Sequence, residues 1–299
     1  MTTETTQAGI TERDGVLVGP IRRPRNLAAT ERASIHDDSV AQKLGFRGGT
    51  VAGSIHMEQF PPLLVRAFGQ RWFETGSLST YFRNATMGEE PVQAFVRTSA
   101  TPAPDTQVDV WMERDGGTLV LEGTASVGSP SEPSLLRRKL SEPREAGELR
   151  ILAGIAPGDA LPEAPARLTD GISTPRLRAI TEPLDWYTGP SPWGGPVVNP
   201  GLLVHLMVQA QPGIRTRGPA VGLYGAIEVR HLRGPVFAER AYVASGKVLA
   251  VGDTPKTEYI WFESQLTEAA GGGPVASMLM MLRFMKGSSP LWAKTSTTR

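Results

Sequence analysis

The chain has 299 residues, 40% of them hydrophobic, and a net charge of +1 from 31 Lys+Arg against 30 Asp+Glu. That is enough apolar material for one large domain or two ordinary ones, and the near-neutral balance removes the electrostatic basis for a nucleic-acid partner. The absence of cysteine excludes disulfides, thiolate metal sites and a cysteine nucleophile. No segment approaches the roughly 18 apolar residues of a membrane span and the N-terminus is polar, which predicts a soluble, cytoplasmic protein with no membrane partner.

In chain order, residues 1–13 read as a disordered tail, and "GVLVGPIRRP" holds a short strand. The stretch 30–53, "TERASIHDDSVAQKLGFRGGTVAG", sets Glu31 five residues before His36 and runs through a glycine-bounded turn to a helix start. From Gly53, "GSIHMEQFPPLLVRAF" is helical in period, with Ile55, Phe60, Leu63 and Leu64 on one face. Pro61-Pro62 should break that helix, because neither residue can donate its backbone hydrogen bond. "SLSTYFRNAT", "EPVQAFVRTSA", "TQVDVWMERDGG" and "TLVLEGTASVG" then read as strands, the last two as a hairpin over Asp115-Gly116-Gly117.

Residues 129–149, rich in charge, Ser and Pro, read as a linker between halves 14–128 and 150–288, with 289–299 as a second tail. The second half repeats the plan. "NPGLLVHLMVQAQ" has Asn199 as cap and Pro200 at the first helical position, and four strands follow: "AVGLYGAIEVRHL", "AERAYVASGKVLAVG", "KTEYIWFESQL" and "PVASMLMMLRFMK". "GGG" at 271–273 reads as a hairpin turn. Short matches reinforce the repeat. "GGTV" (48–51) and "GGPV" (194–197) precede the two helices, and Thr30-Glu31 and Thr181-Glu182 stand upstream. Counting six from each Thr reaches His36 in one half and Tyr187 in the other.

The residue types at 30–53 fit two readings: a polar surface loop ending in a helix cap, or a catalytic pair aimed at a helix N-terminus. On the second reading, His36 exchanges a proton near neutral pH and Glu31 acts as base or orients the ring. Unpaired backbone N–H groups at the helix start, reached without a Cβ at Gly53, would stabilise charge on a carbonyl oxygen. That kit suits the addition of water to an unsaturated thioester, or its removal.

The same run resembles the hydratase motif of MaoC-like (R)-specific enoyl-CoA hydratases. His36, Asp38, Ala41, Phe46, Val51 and Gly53 stand in corresponding places, and Glu31 falls where those enzymes carry an Asp. "STYFRNATMGEEPVQAFV" is similar to the strand after their central helix, and the motif resemblance covers roughly residues 25–100. It implies an α+β double hot-dog: two antiparallel sheets, each wrapping a central helix, paired as a pseudo-dimer within the chain that could itself form a homodimer. It implies a hydratase or dehydratase, a lyase acting on an acyl thioester, with CoA as part of the substrate and no further cofactor or metal. Glu31 and His36 would handle the water and the α-proton, the Gly53 N–H would hold the thioester oxygen, and Asp38, Phe46, Ala52 and His56 would line the substrate. Three departures stand out: Glu for Asp, Ala33-Ser34 for the usual Asn-Pro, and Ala52 for the usual His. The extra methylene of Glu31 displaces its carboxylate by about an ångström, a shift worth on the order of 100-fold in rate unless the backbone compensates.

Tandem hot-dogs also include thioesterases, and a non-catalytic acyl-binding subunit is a third class. Taken alone, His56 reads first as a satisfied helix-face histidine and His205 as core packing, and His231 reads as a strand or rim residue. Trp186 and Tyr187, with Asp185 and Trp193, form an aromatic group that suits either an acyl pocket or plain packing. The second half has no histidine between linker and helix, so a single active site in the N-terminal half is expected.

Overall fold

The structure is a computed structural model that describes residues 9–99, 103–142 and 147–293. Strands β1 (Thr11–Arg13) and β2 (Val16–Val18) form a hairpin across Asp14-Gly15. Four helices follow: α1 (Asp38–Lys43), α2 (Gly53–Met57), α3 (Pro61–Phe68) and α4 (Trp72–Thr75). Then come β3 (Ser77–Phe82), β4 (Val92–Arg97), β5 (Thr106–Arg114) and β6 (Thr118–Val127). The second half comprises α5 (Leu135–Ser141), β7 (Ala160–Arg167), α6 (Asp170–Ala179), α7 (Pro200–Met207), β8 (Gly222–His231), β9 (Ala241–Asp253), β10 (Thr257–Glu268) and β11 (Pro274–Met285).

The strands make one continuous antiparallel sheet in the order β1-β2-β4-β5-β6-β3-β8-β11-β10-β9-β7. Read inward from either end, β2-β4-β5-β6-β3 and β7-β9-β10-β11-β8 are the same arrangement, so the halves meet at β3 and β8. Ser77 faces Arg230 and Tyr81 faces Ala226 across that join, and Thr80 Oγ1 adds a 2.9 Å bond to the Ile227 carbonyl. The two sheets expected to pair are thus joined edge to edge into one: the two inner edges satisfy each other's backbone groups, which removes both as exposed edges.

Pro61-Pro62 does break the first helical run. α2 ends at Met57 and α3 restarts with prolines in its first turn, where no N–H is needed. Ile55, Phe60, Leu63 and Leu64 are all buried. Asn199 caps α7 by accepting from Leu202 N at 2.8 Å. The Met-rich strand β11 is buried on both faces. Met278, Met280 and Leu282 join the main core with the helices, while Leu279 and Met281 join a smaller cluster on the opposite face.

That smaller cluster explains a difference from the sequence reading. The stretch read as a linker contains α5, whose Leu136 is fully buried beside Ala226 and Trp261. Ser134 starts the helix, its hydroxyl accepting from Arg137 N. The tail readings also change. Residues 11–13 pair as β1, and 1–8 lie outside the described residues. At the other end, Trp292 Nε1 donates to Glu258 at 2.7 Å, and 294–299 lie outside the described residues. Among the described residues, no helix is long and apolar enough to cross a membrane.

Candidate active site

The loop before α2 is built around the His36 ring. Asn26 Nδ2 donates to the His36 carbonyl at 2.8 Å, and Thr50 N donates to the Ile35 carbonyl at 2.9 Å. Gly49 is required, since any Cβ there would collide with the His36 carbonyl. Asp38 is part of the same scaffold: its Oδ1 accepts from Gly49 N at 2.6 Å. The imidazole Nδ1 lies 2.6 Å from the Thr50 carbonyl oxygen. A carbonyl only accepts, so Nδ1 carries a proton, and it is Nε2 that exchanges one.

His36 lines a cavity of about 810 Å³, together with Glu31, Phe46, Ala52, Gly53 and His56. The first N–H groups of α2 have no preceding carbonyl within the helix to bond. Ala52 caps the helix without a side-chain hydrogen bond. A methyl at Gly53 would strike the Phe82 ring, another wall of the cavity. The Glu31 carboxylate has no hydrogen-bond or ion-pair partner among the described residues. Of the site residues expected from sequence, the structure thus gathers six around one cavity and leaves three elsewhere. Asp38 staples the loop and does not line the cavity; Tyr187 is in the core and Trp186, half-buried, packs against it.

The second half explains why. Val197 N donates to the Trp186 carbonyl at 2.8 Å, as Thr50 N does to Ile35. Val198 N bonds Val236 O, as Val51 N bonds Thr86 O. These bonds superimpose Trp186 on Ile35, Tyr187 on His36, and the cap Asn199 on Ala52. Gly53 then corresponds to Pro200, which has no N–H to offer a carbonyl. The space is also filled. Phe73 packs edge-on against Trp186 and Tyr187 at centroid distances of 5.8 and 6.4 Å, and Trp193 and His231 close the cluster. Burial above all, with Glu58 and Glu182 adding, pushes the Tyr187 phenol well above its ordinary range, so it is no base. The Glu31 counterpart, Glu182, is paired with Arg22 at 2.7 Å.

At the end of α2, Glu58 is fully buried and paired with Arg176 of α6 at 2.7 Å, and Arg176 also donates to Ser54 Oγ at 2.9 Å. Gly201 of α7 leaves room for the pair, since a Cβ there would overlap both partners. Burial raises the Glu58 carboxyl above its ordinary value and Arg176 pulls it back.

His56 shows the helix-face reading at work within the cavity wall: its Nε2 is 2.8 Å from Thr86 Oγ1. Burial pushes both His56 and His231 down to about 4, so both are neutral. Their folded pKa values lie below the unfolded value, so the stability they support is present above pH 6.5 and is lost as pH falls toward 4. By linkage each costs about 2 kcal/mol at pH 5. Denaturant unfolding should therefore show lower stability at pH 5 than at pH 7.5, and His56→Gln with His231→Gln should flatten that slope. A pH-independent midpoint over this range would contradict the assignment.

Sequence reasoning missed the cavity's other wall. Tyr224, Leu282, Arg283 and Phe284 come from β8 and β11, and Lys256 from the turn before β10. No local motif marks them; only the β3–β8 join brings them to His36. A smaller adjoining cavity of about 290 Å³ shares Gln211, Leu282 and Phe284 with the first.

No family profile matches this sequence, and no curated protein is significantly similar to it. Solved structures do resemble it. A protein assigned as a MaoC domain dehydratase from Chloroflexus aurantiacus aligns with TM-score 0.61 and 13% identity, over 95% of this chain and 99% of its own. Rv0216 from Mycobacterium tuberculosis, described as a double hot-dog, aligns with TM-score 0.61 and 13% identity over 92% and 96%. The dehydratase domain of PpsC from Mycobacterium tuberculosis, solved with C12:1-CoA, aligns with TM-score 0.50 and 12% identity over 94% and 99%. At such identities the likeness is one of fold: this chain has the double hot-dog fold that MaoC-like dehydratases share.

Proposed function

We propose that the chain adds water to, or removes it from, an α,β-unsaturated acyl thioester at one site in its N-terminal half. The observation that carries this reading is the His36 ring, fixed by Thr50 with Nε2 left to exchange a proton, in one cavity with Glu31 and the start of α2. In the dehydration direction, His36 Nε2 takes the proton from Cα. Charge developing on the thioester oxygen is held by the Gly53 N–H, the Cβ–O bond breaks, and the hydroxyl leaves as water with a proton from Glu31. Hydration is the reverse, with Glu31 taking a proton from water and the His36 imidazolium giving one to Cα. Between turnovers in either direction the proton passes between the two groups through solvent, which resets them.

Two further features support a thioester of CoA. The cavity carries Arg83, Lys256 and Arg283 for phosphate groups, although Arg83 also pairs with Glu122. Leu282 and Phe284 offer an apolar path toward the adjoining cavity for the acyl tail. The PpsC domain, with C12:1-CoA bound, is a precedent for such a ligand on this fold.

The test is incubation with trans-2-octenoyl-CoA. The reading expects loss of the enoyl absorbance with no free thiol. Thiol release would replace it with a thioesterase, and binding without either change would replace it with an acyl-binding role.

A further inference from the structure

Tyr224 reaches the site from the opposite half. It lies on β8 beside a bulge: Ala226 faces Met281 and Tyr224 faces Leu282, so Gly225 is the extra residue. Bulges re-aim the side chains next to them. Gly225 allows this one, because a Cβ there would run into Met281 and Arg283. Tyr224 is partly buried and lines the same cavity as Glu31 and His36, yet its hydroxyl makes no hydrogen bond to the described residues. Burial above all pushes the phenol above its ordinary range, Arg176 opposes this, and the negative charge of Glu31 adds to it. The phenol therefore stays protonated, a donor with no acceptor, within electrostatic reach of the proposed acid.

We infer that Tyr224 donates its O–H to the oxygen on Cβ of the substrate, so that this oxygen is held between the Tyr224 hydroxyl and the Glu31 carboxyl. The inference rests on the hydratase reading and adds to it a residue of the second half. Tyr224 transfers no proton. While the Cβ–O bond breaks, Glu31 delivers the proton and Tyr224 keeps its hydrogen bond to the departing oxygen. The same contact orients water for attack in the reverse direction. The N-terminal half alone would then hold an incomplete site, consistent with a cavity whose walls come from both halves.

Tyr224→Phe removes the hydroxyl and keeps the ring. The binding experiment uses the His36→Ala background, so that nothing turns over, and titrates (R)-3-hydroxyoctanoyl-CoA against octanoyl-CoA, which lacks the Cβ oxygen. The His36→Ala protein should prefer the hydroxy ester by about five- to tenfold, the range of one neutral hydrogen bond. Adding Tyr224→Phe should lower the preference by at least threefold, to what the Glu31 contact alone supplies, and leave octanoyl-CoA binding within twofold. A preference left undiminished, one absent from the start, or equal weakening of both ligands would overturn the inference. With His36 intact, Tyr224→Phe should lower kcat on trans-2-octenoyl-CoA by at least tenfold with KM within threefold. A wild-type protein that hydrates octenoyl-CoA and a Tyr224→Phe variant that matches it would remove Tyr224 and leave the hydratase reading standing. A wild-type protein that hydrates no enoyl thioester would remove the reading itself.

Discussion

His36→Ala should lower turnover of an enoyl thioester by three orders of magnitude or more, with the melting temperature nearly unchanged. A positioned acid or base contributes roughly 10²–10⁴-fold, and the imidazole is the group whose tautomer the loop fixes. Its ring is held by one bond to the Thr50 carbonyl, so truncation leaves a single backbone acceptor beside an open cavity and little else unsatisfied. Glu31→Gln should have an effect of similar size, because Gln is close in shape but cannot exchange a proton with water. Glu31→Asp separates geometry from chemistry: faster hydration of a short enoyl-CoA would mean that the extra methylene suits another substrate. Steady-state kinetics on the purified variants decides these outcomes, and folded variants with full activity would remove the pair from the mechanism.

Arg176→Met should destabilise the protein by roughly 3–5 kcal/mol at neutral pH, the range seen when one partner of a buried ion pair is removed. The Glu58 side chain is 1% exposed and that of Arg176 is 20%, so the loss strands a carboxylate between the central helices α2 and α7. The deficit should shrink as pH falls, because a protonated Glu58 needs no counter-charge. It should also shrink in Glu58→Met/Arg176→Met, where neither charge remains. Denaturant unfolding of the three variants measures this. An Arg176→Met protein within 1 kcal/mol of wild type would contradict this, showing that Glu58 takes up a proton with little cost when its partner is lost.

Much of this fold is legible in local pattern. The Asn199 cap, the proline break at 61–62 and the hairpin over Asp115-Gly116-Gly117 are each decided by a few adjacent residues. So is the alignment of His36 with Tyr187, which spacing suggests and which the paired bonds Thr50 N to Ile35 O and Val197 N to Trp186 O realise. The elements that escaped have chemistry that argues against them. β7 carries Pro162 and Pro165, and it forms because it is an edge strand paired only with β9. α6 contains Gly171 and Pro175, and α5 is a short helix whose few leucines are hidden among charges.

The site divides in the same way. Glu31, His36 and Gly53 lie within one motif and were found together. Asp38 belongs to that motif too, but its carboxylate serves Gly49 N. Trp186 and Tyr187 occupy the counterpart positions of the second half, where Phe73 and Trp193 fill the space and Pro200 removes the donor, so they pack and do not line the cavity. Tyr224 and Arg283 are invisible from the motif because the sheet join at β3 and β8 alone sets their distance from it.

The most direct measurement follows the atoms of the reaction. Trans-2-octenoyl-CoA incubated with the protein in D₂O should yield a 3-hydroxyacyl product with one deuterium at Cα, oxygen from solvent at Cβ and the thioester intact, and His36→Ala should yield none. Free octenoic acid with released CoA, or unchanged octenoyl-CoA after prolonged incubation with the folded protein, would contradict the account.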